Sequence, residues 1–175
     1  MGDPISIIIP AFNQVEYCRQ CIYSIQLNTP PERYRLILVD NGTTDGVSEY
    51  FDTIAEATVV HSPKNLGFAG GVNLGMEAAE GHVLLLNSDT IVPQGWLERL
   101  GGALESASDI GMVGPMSNCV ASGQLIPDLL FDTLTEIDAY AARRAADFSG
   151  KQWETARLVG FCLLIRKEVV RDVGY

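Results

Sequence analysis

Three apolar runs in this chain each stop at a polar cluster, and that design restricts the fold more than any other feature. ISIIIP (5–10) leads into AFN, YRLILV (34–39) into DNGTTDG, and HVLLL (82–86) into NSDT. Runs of Ile, Val and Leu without polar alternation mark strands buried on both faces, which occupy the interior of parallel sheets. Between them the period changes. Val15, Cys18, Ile22 and Ile25 share one face of a helix expected over 15–27, which NTPP ends. A short helix over 47–57, a strand ATVVHS (57–62) and a glycine-rich segment opening a helix to residue 79 precede the third run. Strands alternating with helices imply βαβ units, so the expected class is α/β, a mostly parallel central sheet flanked by helices.

Beyond the third run, Pro93 suits the first turn of a helix on which Trp96, Leu97, Leu100, Ala103 and Leu104 share a face. IGMVGP (110–115) reads as a short strand. The pattern then weakens over 117–134, the expected long functional loop or insertion. A moderately amphipathic helix is expected over 135–147, a strand interrupted by Gly160 in RLVGFCLLIR (157–166), and the start of a helix in KEVVRDVGY.

At 175 residues the chain is sized for one domain, 1–175. Its 47% hydrophobic and 19% charged residues are those of a soluble globular protein. No apolar run approaches the ~18 residues of a membrane-spanning helix, and no basic segment opens a signal-like stretch, so the cytoplasm is the simplest location. Residues 1–6 formally fit a myristoylation pattern at Gly2, but Ser6 falls inside the first strand. A net charge of −10 argues against a nucleic-acid partner, which would need clustered Lys and Arg. It leaves room for a nucleotide held by backbone amides and a metal ion. Cys18 and Cys21 have C-x-x-C spacing, yet the helical stripe makes Cys18 a core residue with Cys21 its neighbour, rather than a zinc or redox pair. Cys119 and Cys162 stand singly, and His61 and His82 read as ordinary strand-end residues.

Open parallel sheets bind ligands beyond the carboxyl ends of their strands. PAFN (10–13), DNGTTDG (40–46) and NSDT (87–90) all lie at such ends. If the first, second and fourth strands are neighbours, Asp40 and Asp89 face one cleft from different depths. One carboxylate can accept a hydrogen bond from a pyrimidine imide N–H or a ribose hydroxyl, and another can hold a divalent cation. Each cluster also has a purely structural reading. Asp, Asn, Gly and Thr build turns and helix caps, and Asp89 or Thr90 could cap the helix near Pro93. KNLGFAGGVNLG (64–75) is neither G-x-G-x-x-G nor a P-loop. Its small residues at 69, 70, 71 and 75 permit close helix–sheet packing or a ligand's approach to backbone amides; Asn65 and Asn73 are residues that packing alone would not require. There is no G-x-S-x-G elbow for a serine hydrolase.

Taken in order, SIIIPAFNQ, LILVDNGTTDG, KNLGFAGGVNLGMEAAEGHVLLLNSDT and GFCLLIRKEVVRDVGY resemble the family 2 glycosyltransferases, which have the GT-A fold, over residues 5–175. The resemblance implies inverting transfer of a sugar from a nucleoside diphosphate sugar to a saccharide, lipid-linked or other hydroxyl acceptor, in cell-surface polysaccharide or glycan synthesis. It implies that Pro10, Ala11, Phe12 and Asp40 line the base and ribose, with Asn13 in the same nucleotide-sugar site. Asn65 and Gly67 would lie near the ribose-diphosphate. Asn87, Ser88 and Asp89 would hold the sugar diphosphate and a divalent cation, Mg²⁺ or Mn²⁺. The family often has Asp where Asn87 stands, so coordination would rest on Asp89. Members usually continue into an acidic motif that supplies the catalytic base. That base is therefore expected beyond Tyr175, leaving this chain with the donor-binding half, without the acceptor part, and with little or no turnover of its own. Peripheral membrane association would come from those further regions. A nucleotide-sugar-binding or scaffold module with a degenerate site is the alternative that Asn87 permits. A nucleotidyltransferase is disfavoured, because PAFNQVEY has no Lys or Arg where a basic phosphate loop would stand.

Overall fold

The computed structural model describes residues 4–120 and 123–175 of the chain. Among them β1 (Ile5–Ala11), β2 (Tyr34–Asn41), β3 (Ala57–Ser62), β4 (Val83–Leu86), β5 (Met112–Val113) and β6 (Cys162–Ile165) form one sheet, in the order β3-β2-β1-β4-β6-β5. The first four are parallel, and β6 runs antiparallel to both β4 and β5. The helices are α1 (Val15–Asn28), α2 (Val47–Asp52), α3 (Gly67–Met76), α4 (Trp96–Glu105), α5 (Leu134–Asp147) and α6 (Lys167–Val173). The class is the expected α/β with a mostly parallel sheet, and the first, second and fourth strands are neighbours.

The apolar runs explain the layers. Ile7, Ile8 and Ile9 of β1 are all fully buried, and the strand pleat sends them to alternate faces. Ile7 and Ile9 join Cys18, Ile22 and Ile25 of α1 and Leu97, Leu100 and Leu104 of α4. Ile8 joins Val39, Leu85 and Val72 of α3 on the opposite face. The Cys18–Ile22–Ile25 stripe is thus the buried side of α1, as its spacing predicts.

Several boundaries differ from the sequence expectation. Helix α4 starts at Trp96 because Gly95, at φ +71°, breaks the helical path that Pro93 was expected to open. Helix α2 stops at Asp52, where the amides of Thr53 and Ile54 close a turn on the carbonyls of Tyr50 and Phe51. Helix α3 ends at Met76, and 77–79 continue only as turns. The last strand is confined to four residues because its partner is no longer: the ladder runs from Val83 opposite Ile165 to Leu86 opposite Cys162. The 110–115 strand shrinks to two residues, Met112 and Val113, which pair with Ile165 and Leu164. In 117–134 the described residues carry no named strand or helix until Leu134, apart from one bridge between Ser117 and Leu125. Gln124 ties that segment down, donating to the Pro115 carbonyl and accepting from the Val159 amide, each at 2.8 Å.

Arg166 donates to the carbonyls of Leu104, Ala107 and Ile110, serving acceptors in the last turn of α4 and in the segment after it. Gly2, the acceptor of the acylation pattern, lies outside the described residues. Ser6 lies within β1, where its buried hydroxyl donates to the Glu80 carbonyl at 2.7 Å. No helix among the described residues is long and apolar enough to cross a membrane.

Candidate functional site

The register of the sheet brings the three polar clusters to one edge. Ala11 pairs with Asp40 and Asp40 with His61, while Asn87 directly follows the end of β4 beside β1. Successive residues of a strand face opposite sides of the sheet, so the last two residues of β2 serve different loops.

Asp40, almost fully buried, accepts the Thr43 amide at 2.9 Å and faces the His61 ring, whose Nδ1 lies 3.1 Å from its other oxygen. Burial pushes its carboxyl upward, but the hydrogen bonds from Thr43 and His61 outweigh that and hold it below the ordinary value. Because the folded carboxyl titrates below the unfolded one, its contribution to stability is fully present above about pH 4 and lost as pH falls through the folded value. Urea midpoints taken downward from neutral pH should therefore fall less steeply for Asp40→Asn than for the wild type. Parallel curves would show that this carboxylate is not linked to folding.

Asn41, also buried, was not singled out by the sequence, yet it organises the opposite loop. Its amide donates to the Gly67 carbonyl at 3.0 Å and to Asn65 Oδ1 at 3.2 Å, and its oxygen accepts the Leu66 amide at 3.0 Å. Asn65 in turn accepts the Gly67 amide at 2.7 Å. Gly67, at φ +74°, opens α3 with its peptide fixed by these two asparagines. The glycines that follow answer to packing. A Cβ on Gly75 would sit 2.4 Å from Ile8 Cγ2, and one on Gly71 would sit 3.2 Å from Pro10 Cβ, so α3 lies directly on the sheet. Asn73 faces solvent.

The loop after β1 is stitched to the loop after β2. Asn13 and Gln14 both take left-handed conformations, costly for residues other than glycine but more tolerable for Asn. Asn13 Oδ1 accepts the Thr44 amide at 2.8 Å, and Asp45 accepts the Val15 amide at 3.2 Å at the positive end of α1. Pro10 is half-buried, Ala11 buried and Phe12 half-exposed at this edge.

At the end of β4, the Asn87 amide donates to the Phe161 carbonyl at 2.8 Å, and its carbonyl accepts from Thr90 and from the Cys21 thiol. Cys18 lies against Ser88, and burial pushes its thiol up to about 11. The C-x-x-C pair is therefore a protonated floor beneath this loop. Asp89 is exposed and makes no hydrogen bond or ion pair with another described residue. It does not cap the next helix: the cap position of α4 is Gly95, with no side-chain capping bond, which removes the structural reading of Asp89 and Thr90. Among the described residues no three His, Cys, Asp or Glu side chains gather as a metal cluster.

His61 is the other residue that sequence reasoning undervalued. It is a strand-end residue, but one set between Asp40 and Asp52, with Nε2 3.2 Å from the latter. Counting register along two equally spaced runs would have placed it beside Asp40. A cavity of about 570 Å³ lined by Gln26, Thr29, Tyr34, Arg35 and Glu56 lies at the opposite edge, at the starts of β2 and β3. It shares nothing with the clustered strand ends.

The model of the family described as Glycosyl transferase family 2 matches residues 6–174. The chain belongs to glycosyl transferase family 2. Among curated relatives of this family 2 chain, "Glycosyltransferase AglE" of Haloferax volcanii is 27% identical over 176 residues, covering 97% of this chain and 55% of its own length. "Glycosyltransferase GlyG" of Streptococcus pneumoniae serotype 4 is 30% identical over 105 residues, covering 57% of this chain and 35% of its own. The chain thus spans about half or less of these relatives. Among solved structures, the mannosyltransferase PcManGT from Pyrobaculum calidifontis, in complex with GDP-Man and Mn²⁺, superposes with a TM-score of 0.70 at 20% identity, covering 99% of this chain and 48% of that one. S. aureus TarS 1-349 in complex with UDP-GlcNAc does so with a TM-score of 0.70 at 16% identity, covering 97% and 47%. The fold is the GT-A type of glycosyltransferases.

Proposed function

We propose that this family 2 chain is the donor-binding part of an inverting glycosyltransferase that uses a nucleoside diphosphate sugar and a divalent cation. The observation that carries the reading is the convergence of Pro10–Asn13, Asp40 and Asn87–Asp89 at the carboxyl edge of three adjacent strands. The neighbour that binds GDP-Man with Mn²⁺ and the one that binds UDP-GlcNAc support a nucleotide-sugar donor of this kind.

In this reading Asp40 accepts a base or ribose donor group, and the loop fixed by Asn41 and Asn65 presents the Gly67 peptide to the ribose-diphosphate. Pro10, Ala11, Phe12 and Asn13 wall the nucleotide. Asn87, Ser88 and Asp89 face the diphosphate. The donor set there fits Mg²⁺ or Mn²⁺, which take one or two carboxylates and complete their shell with phosphate oxygens and water: Asp89 is exposed and without a protein partner. When bound, the cation supplies countercharge to the diphosphate as it departs. Asn87 adds an uncharged oxygen, so the protein contributes a single negative charge, and cation affinity depends on the diphosphate being present. This donor site leaves the base that deprotonates the acceptor hydroxyl, acceptor recognition and any contact with a membrane surface to other parts of the protein.

Calorimetric titration of this chain with UDP-GlcNAc and GDP-mannose, with and without Mn²⁺, tests the reading. Binding of at least one donor, tightened about tenfold or more by Mn²⁺, is expected. Absence of binding to either would favour the degenerate scaffold reading that Asn87 permits.

A further inference from the structure

Both nitrogens of the His61 ring face carboxylates. Nδ1 lies 3.1 Å from Asp40 Oδ2, and Nε2 lies 3.2 Å from Asp52 Oδ1. The Ser48 hydroxyl is 3.2 Å from the same Nδ1. Asp40 comes from β2, Asp52 and Ser48 from α2, and these are the charged and hydroxyl groups that meet the ring. A doubly protonated ring donates to both carboxylates at once. A neutral ring must turn a bare nitrogen toward one of them, and in the tautomer with bare Nδ1 the Ser48 hydroxyl can donate to it while Nε2–H stays on Asp52. Deprotonation then releases Asp40 and strips a buried carboxylate of the cationic neighbour that pairs with it among the described residues.

We propose that His61 is a positioning residue for nucleobase recognition, holding Asp40 in the orientation that accepts the base, so that donor binding weakens as His61 loses its proton. This rests on the reading that Asp40 meets the nucleotide. Asp40 is also held by the Thr43 amide, with the Thr43 and Ser48 hydroxyls against it, but these partners are neutral and His61 is the one that brings a charge. The hydrogen bond from His61 to Asp40, against the opposing effect of burial and with help from the Asp52 charge, raises the ring's pKa above its ordinary value. The change therefore falls above the pH at which an ordinary histidine loses its proton. His61 touches neither donor nor acceptor in this role; it acts through Asp40.

The test measures affinity for UDP-GlcNAc and GDP-mannose with Mn²⁺ across about pH 6 to 8.5. Neither diphosphate diester titrates in that range, and the tighter binder carries the comparison. The wild type should lose about tenfold in affinity over the interval. His61→Asn keeps a neutral donor near the position of Nδ1, so it should stay within a few-fold of the wild type at low pH and show no slope. His61→Ala should bind at every pH about tenfold more weakly than the wild type does at low pH, so that the two converge at the alkaline end. Equal slopes for the wild type and His61→Asn would overturn the proposal, as would full affinity in His61→Ala. If His61→Ala does not fold by circular dichroism, the slope of His61→Asn alone decides. Asp40→Asn separates the two levels of inference: unchanged affinity in that variant would remove the underlying placement of the base, whatever His61 does.

Discussion

Asp89→Ala is expected to reduce Mn²⁺-dependent sugar transfer by the proposed transferase roughly a hundredfold, and to abolish the Mn²⁺ enhancement of donor binding, without loss of stability. The first part follows from the proposed chemistry. A cation on the departing diphosphate is worth several kcal/mol in the transition state, and Asp89 is the sole carboxylate of Asn87–Asp89 to hold it. The second part follows from the structure. Asp89 is exposed, makes no hydrogen bond or ion pair with a described residue and caps no helix. Its removal should leave the thermal midpoint within about 2 °C of the wild type. Transfer assays at graded Mn²⁺, paired with thermal melts, separate the outcomes. Full metal dependence in the variant would place the cation elsewhere, and a large drop in the midpoint would give the carboxylate a structural role that its surroundings do not show.

Gly42→Ala should be the most destabilising small substitution near the site. Gly42 sits at φ +78°, where a side chain costs about 1–2 kcal/mol. A Cβ there would also meet backbone, 2.5 Å from the Lys64 carbonyl carbon and 2.6 Å from the Asn65 nitrogen, with no flexible side chain to yield. Overpacking of this kind adds about 1–3 kcal/mol, for a total of about 2–5 kcal/mol. Gly46 is the internal control. It has φ +94° but open space around its Cβ position, so Gly46→Ala should cost only the conformational part. Urea denaturation at unchanged slope measures both. Equal losses would mean that the 64–65 backbone moves aside freely. In that case donor binding, which in the proposed reading depends on Asn65 holding its place, should also survive Gly42→Ala, whereas we expect it to fall with stability.

The sheet was legible because its strands are hydrophobic on both faces. Nothing but a central parallel strand accounts for ISIIIP, and the polar residues that end each run mark the ligand edge of such a sheet. Lengths were legible only where the chain itself ends the element, as NTPP does after α1. Where a partner ends it, as β4 limits β6, local sequence extends too far. The candidate site was legible in its carboxylates and poorly legible in its supports. Asp40 and Asp89 announce themselves as carboxylates at strand ends. Asn41 and His61 look like common turn and strand-end residues until pairing puts one under the 64–67 loop and the other against Asp40. The glycines of 64–75 were ambiguous between ligand approach and packing, because both require the same missing side chain; only the distances from Gly71 to Pro10 and from Gly75 to Ile8 show the packing.

The alternation of side chains along β2 has a mechanical corollary. Asp40 anchors the turn at Thr43 and Asn41 anchors the turn at 65–67, through bonds one residue apart on a single backbone. The two turns are thus fixed to neighbouring residues of one strand end, so a substitution that displaces the end of β2 disturbs both of them together.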